Sequence, residues 1–155
     1  MFSTYDLDNF PKVSVTFGEK VKDDEDFDNF LNGWRDLNDK KEFFYFIMDT
    51  EKTGYVPLKY CFKMSSFINK IRQENKRYLR FSIIYVSNKI VSYLLKIIFK
   101  FSPPIAPLFI INNKEEICKL ENILKKTYFT KNNITPSINH KNMKKSLNYI
   151  YVKPA

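Results

Sequence analysis

The segment EFFYFIMD, residues 42–49, decides the fold class. It is apolar without interruption between Glu42 and Asp49, rich in aromatic residues, and too short for a helix, which is the pattern of a strand covered on both faces. Strands of that kind belong to parallel sheets flanked by helices, so the neighbouring segments should be helical. On the N-terminal side, Phe27, Phe30, Leu31, Trp34 and Leu37 recur at helical spacing from Asp24 to about Asn38. The acids Asp23 to Asp26 suit the positive end of that helix. On the other side the loop TEKTG leads to Pro57, well placed to open a helix. Its inner stripe reads Leu58, Cys61, Phe62, Ser65, Phe67, Ile68 and Ile71, with Lys59, Lys63 and Lys70 on another face.

Further out, KVSVTF (12–17) alternates Val13, Val15 and Phe17 with polar residues, the period of a strand with one better-buried face. FSTYDL before it adds a short edge strand, set apart by Pro11. FSIIYV (81–86) is a further covered strand, and Ser87 or Asn88 caps a helix reaching Phe101, where Pro103 and Pro104 stop it. Leu108 to Ile111 is another strand, Asn113 another cap, and Ile117, Leu120, Ile123 and Leu124 the inner face of a last helix. The order β-α-β-α-β-α-β-α predicts an α/β fold, a mostly parallel four- to five-stranded sheet flanked by helices through right-handed crossovers.

The 155 residues suit one domain, expected over 1–129. After Thr130 the periodicity is lost, and residues 130–155 hold five lysines and no acid. By composition this is a basic tail that would be disordered alone. Within it Tyr149 and Tyr151 alternate with Ile150 and Val152, a pattern able to add a strand to a sheet edge, in this chain or another.

Charge is unevenly placed. Residues 1–51 carry 13 acids against 6 Lys/Arg, a net of −7, and the remainder carries +16, giving the overall +9. Lysine far outnumbers arginine, and Asn, Ile, Phe and Tyr are abundant, as in a chain from an AT-rich genome; part of the basic charge is codon supply. The asymmetry orients self-association or attracts an acidic partner, unless pairing within the molecule absorbs it.

Several classes of chemistry lack their residues. Three glycines are too few for a phosphate-cradling loop. The single histidine, His140, lies in the tail, leaving residues 1–129 without an imidazole for nucleophilic catalysis or a His-based metal site. Cys61 and Cys118 fall in helical stretches and read as two buried reduced thiols, not a disulfide framework. No catalytic residues, metal or cofactor are expected, and the chain is not expected to be an enzyme. The N-terminus reads as neither a secretory signal nor a transit peptide and no segment spans a bilayer. The expected location is therefore intracellular and cytoplasmic, or virion-internal if viral.

FDNFLNGW (27–34), FYFIMDT (44–50), VPLKYCFKMSSFINKI (56–71) and SIIYVSNKIVSYLLKIIFKF (82–101) running into PPIAP together resemble the STAS-like family, the group of the anti-sigma-factor antagonists. The resemblance spans about residues 10–126 and rests on element order and hydrophobic pattern. It implies a non-enzymatic interaction module. Relatives are switched by phosphorylation of a serine opening the helix after the Asp-ended strand. Here Val56, Pro57 and Leu58 stand at that point, Thr50 and Thr53 precede it, and Ser65 and Ser66 lie inside the helix, so the switch is not carried over.

Three surfaces are candidates. The helix KIVSYLLKIIFKF (89–101) is apolar except for Lys89, Ser92, Lys96 and Lys100, more than one-sided packing needs. Ile90, Tyr93, Leu94, Ile97 and Phe101, with Tyr149 and Tyr151 of the tail, form the candidate partner interface. Lys70, Arg72, Lys76, Arg77 and Arg80, interleaved with Tyr78 and Phe81, form a candidate anion-contacting patch. Asp49, Thr50, Ser87 and Asn88 fall where open α/β sheets bind ligands at strand ends, although turn and cap chemistry also accounts for them. The leading expectation is a non-enzymatic interaction or assembly protein, a component of a larger particle or complex, that binds a protein partner or itself. A STAS-type regulator and an anionic-lipid or nucleic-acid binder are the alternatives.

Overall fold

The computed structural model describes residues 1–74, 76–129 and 138–154. In chain order the elements are β1 (Ser3–Asp6), β2 (Lys12–Phe17), α1 (Asp24–Asp39), β3 (Phe44–Asp49), α2 (Leu58–Gln73), β4 (Leu79–Tyr85), α3 (Lys89–Phe101), β5 (Leu108–Ile111), α4 (Ile117–Tyr128), α5 (His140–Met143) and β6 (Tyr149–Val152). They build one sheet in which strands follow chain order from β1 to β6. β2 to β5 run parallel, and β1 and β6 close the two edges antiparallel. The expected α/β class and parallel centre are observed; among the described residues the sheet has six strands, where four or five were expected. The additional strand comes from the tail, whose Tyr149 to Val152 pair with Ile111 to Leu108 of the same chain.

The faces are covered unequally. α1, α2 and α3 all pack on the face that carries Val13, Val15, Phe44, Phe46, Met48 and Ile84. The opposite face, with Tyr45, Phe81, Ile83, Phe109 and Ile111, is closed by Leu120 and Leu124 of α4 and by Leu147 and Tyr149 of the returning segment. Between Phe44 and Phe46 the register shifts, Phe44 pairing with Leu79 and Phe46 with Ser82. The extra residue in β4 turns Leu79 toward the three helices and Phe81 toward α4, although they are only two positions apart.

Local chemistry sets the ends of α1. Asp23 caps it by accepting from the Asp26 N–H at 2.8 Å. Asp26 in turn accepts from the N–H groups of Phe2 at 2.7 Å and Lys22 at 3.0 Å, tying the N-terminal segment to the helix. Those two backbone donors hold its carboxyl below the usual carboxylate range. Gly33 lets β1 dock on this helix: a Cβ there would lie 2.4 Å from the Tyr5 ring, and the Tyr5 hydroxyl donates to the Phe30 carbonyl at 2.6 Å.

Two expectations about packing are corrected. In α2, Leu58 and Phe62 are exposed and Tyr60 is buried instead, alongside Cys61, Ser65, Phe67, Ile68 and Ile71. Tyr60 packs on Phe27 and donates to Asp24 at 2.9 Å, contacts that turn the helix toward α1. Cys61 is buried as expected, but Cys118 is exposed, because Leu120 and Leu124 take the inward side of α4. Glu121 of α4 is buried and pairs with Lys12 of β2 at 3.0 Å.

Between the sheet and the three helices lies an apolar cavity of about 140 Å³, bordered by Phe30 and Trp34 of α1, Cys61 and Met64 of α2, Val91 and Leu94 of α3, and Met48, Ile84 and Leu108 of the sheet. A core forgoes about 3 kcal/mol over a volume of this size, at about 24 cal/mol per Å³.

Candidate functional site

α3 begins at the Asn88 cap, whose side chain accepts from the Val91 N–H at 2.9 Å while its amide donates to the Thr53 carbonyl at 3.0 Å. From that fixed start, Val91 and Leu94 turn inward and are the buried residues of the helix. Ile90, Tyr93 and Phe101 point outward and are 47%, 62% and 57% exposed, with Ile97 half-buried between them. Their spacing of three, four and four residues makes one continuous stripe. Leu94 does not belong to it; one position round from Tyr93, it borders the cavity.

The stripe continues onto α2. Phe101 meets Phe62 edge to face, with ring centroids 5.4 Å apart, and Leu58 is exposed on the same helix. Sequence reasoning missed Leu58 and Phe62 as surface residues. The signal was present: the apolar positions of α2, with Tyr60 included, span too wide an arc to face inward together. The two helices are also bolted together. Ser65 Oγ bridges the Cys61 and Ile98 carbonyls at 3.0 and 3.2 Å, and Ser102 Oγ donates to Asn69 Oδ1 at 2.7 Å. The face is therefore a rigid platform. Lys89, Lys96 and Lys100 of α3 are exposed and, among the described residues, join no ion pair. An apolar stripe with a cationic rim results.

The tail tyrosines are elsewhere. Tyr149 is buried against Phe109, and Tyr151, half-buried, also packs on Phe109, on the face opposite α3. They serve the fold and do not join the α3 stripe. His140, expected to lie outside the domain's chemistry, is carried back onto the sheet: its Nδ1 is 2.8 Å from the Tyr149 hydroxyl and its ring stacks on Tyr151 at 4.1 Å. Burial, and secondarily Lys144, lowers its pKa from the usual histidine value.

The anion-contacting candidates gather at the end of the sheet where β4 begins, but the fold uses two of their guanidiniums. Arg72 donates to Asn69 and to the Pro103 carbonyl, and Arg80 lies 3.8 Å over the Phe43 ring. Lys76 sits near Phe43 and Tyr78, at 5.8 and 5.4 Å from the ring centres. Lys70 and Arg77 are exposed, and Arg77 donates to the Arg72 carbonyl at 3.4 Å.

The strand-end candidates divide. Thr50 donates to the Tyr85 carbonyl at 2.7 Å, and Asp49 accepts from the Glu51 N–H at 2.9 Å and pairs with Lys114 at 3.3 Å. Hydrogen bonds that it donates to Glu51 and Asp49 raise the Lys114 ammonium above its usual value. Ser87 and Asn88 instead border a cleft of about 280 Å³ with Lys89, Asn112 and Asn148. It opens where α3 and α4 leave neighbouring strands toward opposite faces.

No described helix is long and apolar enough to cross a membrane. Comparisons of the chain with protein-family models, curated proteins and solved structures find no match.

Proposed function

We propose that this chain is a non-enzymatic, STAS-like interaction module that docks a protein partner through the α2–α3 platform. The observation that carries the reading is the exposed stripe of Ile90, Tyr93 and Phe101, continued by Phe62 on a helix bolted to α3. Large apolar side chains held rigidly in water are what a partner surface buries. The rim of Lys89, Lys96 and Lys100 favours a partner whose apolar patch is bordered by acids, and disfavours a second copy presenting the same lysines. The STAS-like part of the reading is supported by the element order on which the resemblance rests. Membership of a larger assembly follows as the natural setting for a docking protein without chemistry of its own.

The test compares the chain with a Tyr93→Lys/Phe101→Lys variant in co-purification from native extract and in light scattering. We expect a discrete complex with the unmodified chain and its loss with the variant, while both give the same thermal unfolding curve. Equal retention by both overturns the reading. So does stripe-dependent binding to phosphatidylserine vesicles in place of a protein, or oligonucleotide binding that maps to Lys70 and Arg77 and falls steeply with salt.

A further inference from the structure

The two open edges of the sheet are guarded differently. An edge strand presents unpaired N–H and C=O groups, and charged or polar side chains commonly guard it against further pairing. β1 follows that pattern, with Thr4 and Asp6 exposed. β6 does not: Tyr149 to Val152 are uncharged, and Ile150 is 58% exposed. β6 is paired only on its inner side, with β5, and alternate residues of an antiparallel strand direct both backbone groups away from the partner. Among the described residues, no strand takes up those outward groups.

A groove runs beside this edge. Ile150 is the cross-strand partner of Ile110, so both side chains lie on the three-helix face. They floor the cleft of about 280 Å³, which Lys89 and Ser92 of α3 wall on one side. Lys96, four residues beyond Ser92, stands on the same flank of the helix. Both lysines are exposed and join no ion pair among the described residues, and no carboxylate lines the cleft. Glu116 lies near one end, where it accepts from the Asn148 N–H at 3.3 Å. We infer that β6 and this groove bind an extended peptide of alternating apolar and acidic residues, which adds a further strand outside β6. Its backbone pairs with the outward groups of β6. The pleat then sends alternate side chains to opposite faces: acidic ones cross Ile150 toward Lys89 and Lys96, and apolar ones pack beside half-buried Tyr151. A second β6 offers those lysines no acid, so another copy of this chain is not the occupant.

Fluorescence anisotropy with the full chain compares three labelled peptides: a Val-Glu repeat, a Val-Lys repeat, and the Val-Glu repeat N-methylated along its backbone. The Val-Glu repeat should bind saturably at low salt. The Val-Lys repeat should bind about tenfold more weakly, since attractive charge contacts become repulsive. The methylated peptide should not bind, because it lacks the N–H groups that pair with β6. Lys89→Glu/Lys96→Glu should reverse the preference between the first two, which a merely destabilised chain would not do. Hydrogen exchange should slow at alternate amides of Tyr149 to Val152 when the Val-Glu repeat is bound. Tyr93→Ser/Phe101→Ser, which removes the docking stripe without adding charge, should leave peptide binding unchanged and so keeps the two surfaces distinct. No saturable binding, equal binding of the three peptides, a preference that survives the charge swap, or loss of binding with the stripe overturns the inference. So does self-association of the chain that competes with the peptide, which would place a second copy on the edge.

Discussion

One face of the sheet is covered by three helices, the other mainly by α4 and a C-terminal segment that returns to it, and the two covers differ in the apolar surface they leave over. Phe109, Ile111, Leu120 and Leu124 are completely buried beneath α4 and β6. On the three-helix face the layer borders a cavity and leaves aromatic rings of α2 and α3 in water. Phe101 and Phe109 are eight residues apart and represent the two kinds of apolar surface, 57% and 0% exposed. The contrast separates apolar surface that specifies the fold from apolar surface that the fold leaves over. Only the second kind is available to a partner or a ligand.

The strongest way to break the comparison is to remove the C-terminal cover. Truncation after Phe129 deletes the buried Leu147 and Tyr149 and unpairs the outer edge of β5. At about 1.5–3 kcal/mol for each buried side chain, the expected loss is about 3–6 kcal/mol, a large share of a domain's stability. Urea denaturation should show it as a lower midpoint, with aggregation through the exposed strand edge. An unchanged midpoint would mean that the C-terminal segment does not belong to the folded unit.

A paired substitution sharpens the comparison. Phe109→Ala should cost about 3–5 kcal/mol by urea denaturation, because the ring is enclosed on every side. Phe101→Ala should change stability by less than about 0.5 kcal/mol while weakening partner capture. Equal costs at the two positions would erase the distinction between the two kinds of surface.

The smallest effect concerns His140, which holds α5 against β6. Its folded pKa lies below the unfolded value of 6.5, so the unfolded chain binds more protons in that range. Stability contributed by the neutral ring is complete above pH 6.5, declines as the pH falls through that value, and levels off below the folded pKa. Hydrogen-exchange protection at Tyr149 to Val152, corrected for the intrinsic pH dependence of exchange, should fall over the same window in the native chain and stay constant in His140→Gln.

The sequence was most legible where one physical cause dominates. A continuously apolar run such as 44–48 has no other stable place than between two layers, and Asn88 and Asp23 are caps because their side chains satisfy N–H groups that any helix start leaves open. The candidate site was only partly legible. Ile90, Tyr93 and Phe101 were picked out as apolar residues in excess of one buried face, and they are exposed. Leu94 was grouped with them and is buried, and Phe62 was assigned inward and is exposed. Periodicity gives the spacing of a stripe and leaves its rotation about the helix axis open by a residue or so. That rotation is set by contacts such as Tyr60 on Phe27 and Ser65 on Ile98, which join residues more than thirty positions apart.

By itself, then, the chain's own pattern determined that there would be a parallel, helix-covered sheet, where its elements begin, and that one helix would carry surplus apolar surface. Each of those follows from interactions within a few residues. Only the tertiary structure decided that the tail pairs with its own β5, that His140 stacks on Tyr151, that Glu121 is buried beside Lys12, and that an apolar cavity lies beneath α1, α2 and α3. All four depend on which surfaces meet across the sheet, and a linear pattern carries no term for that.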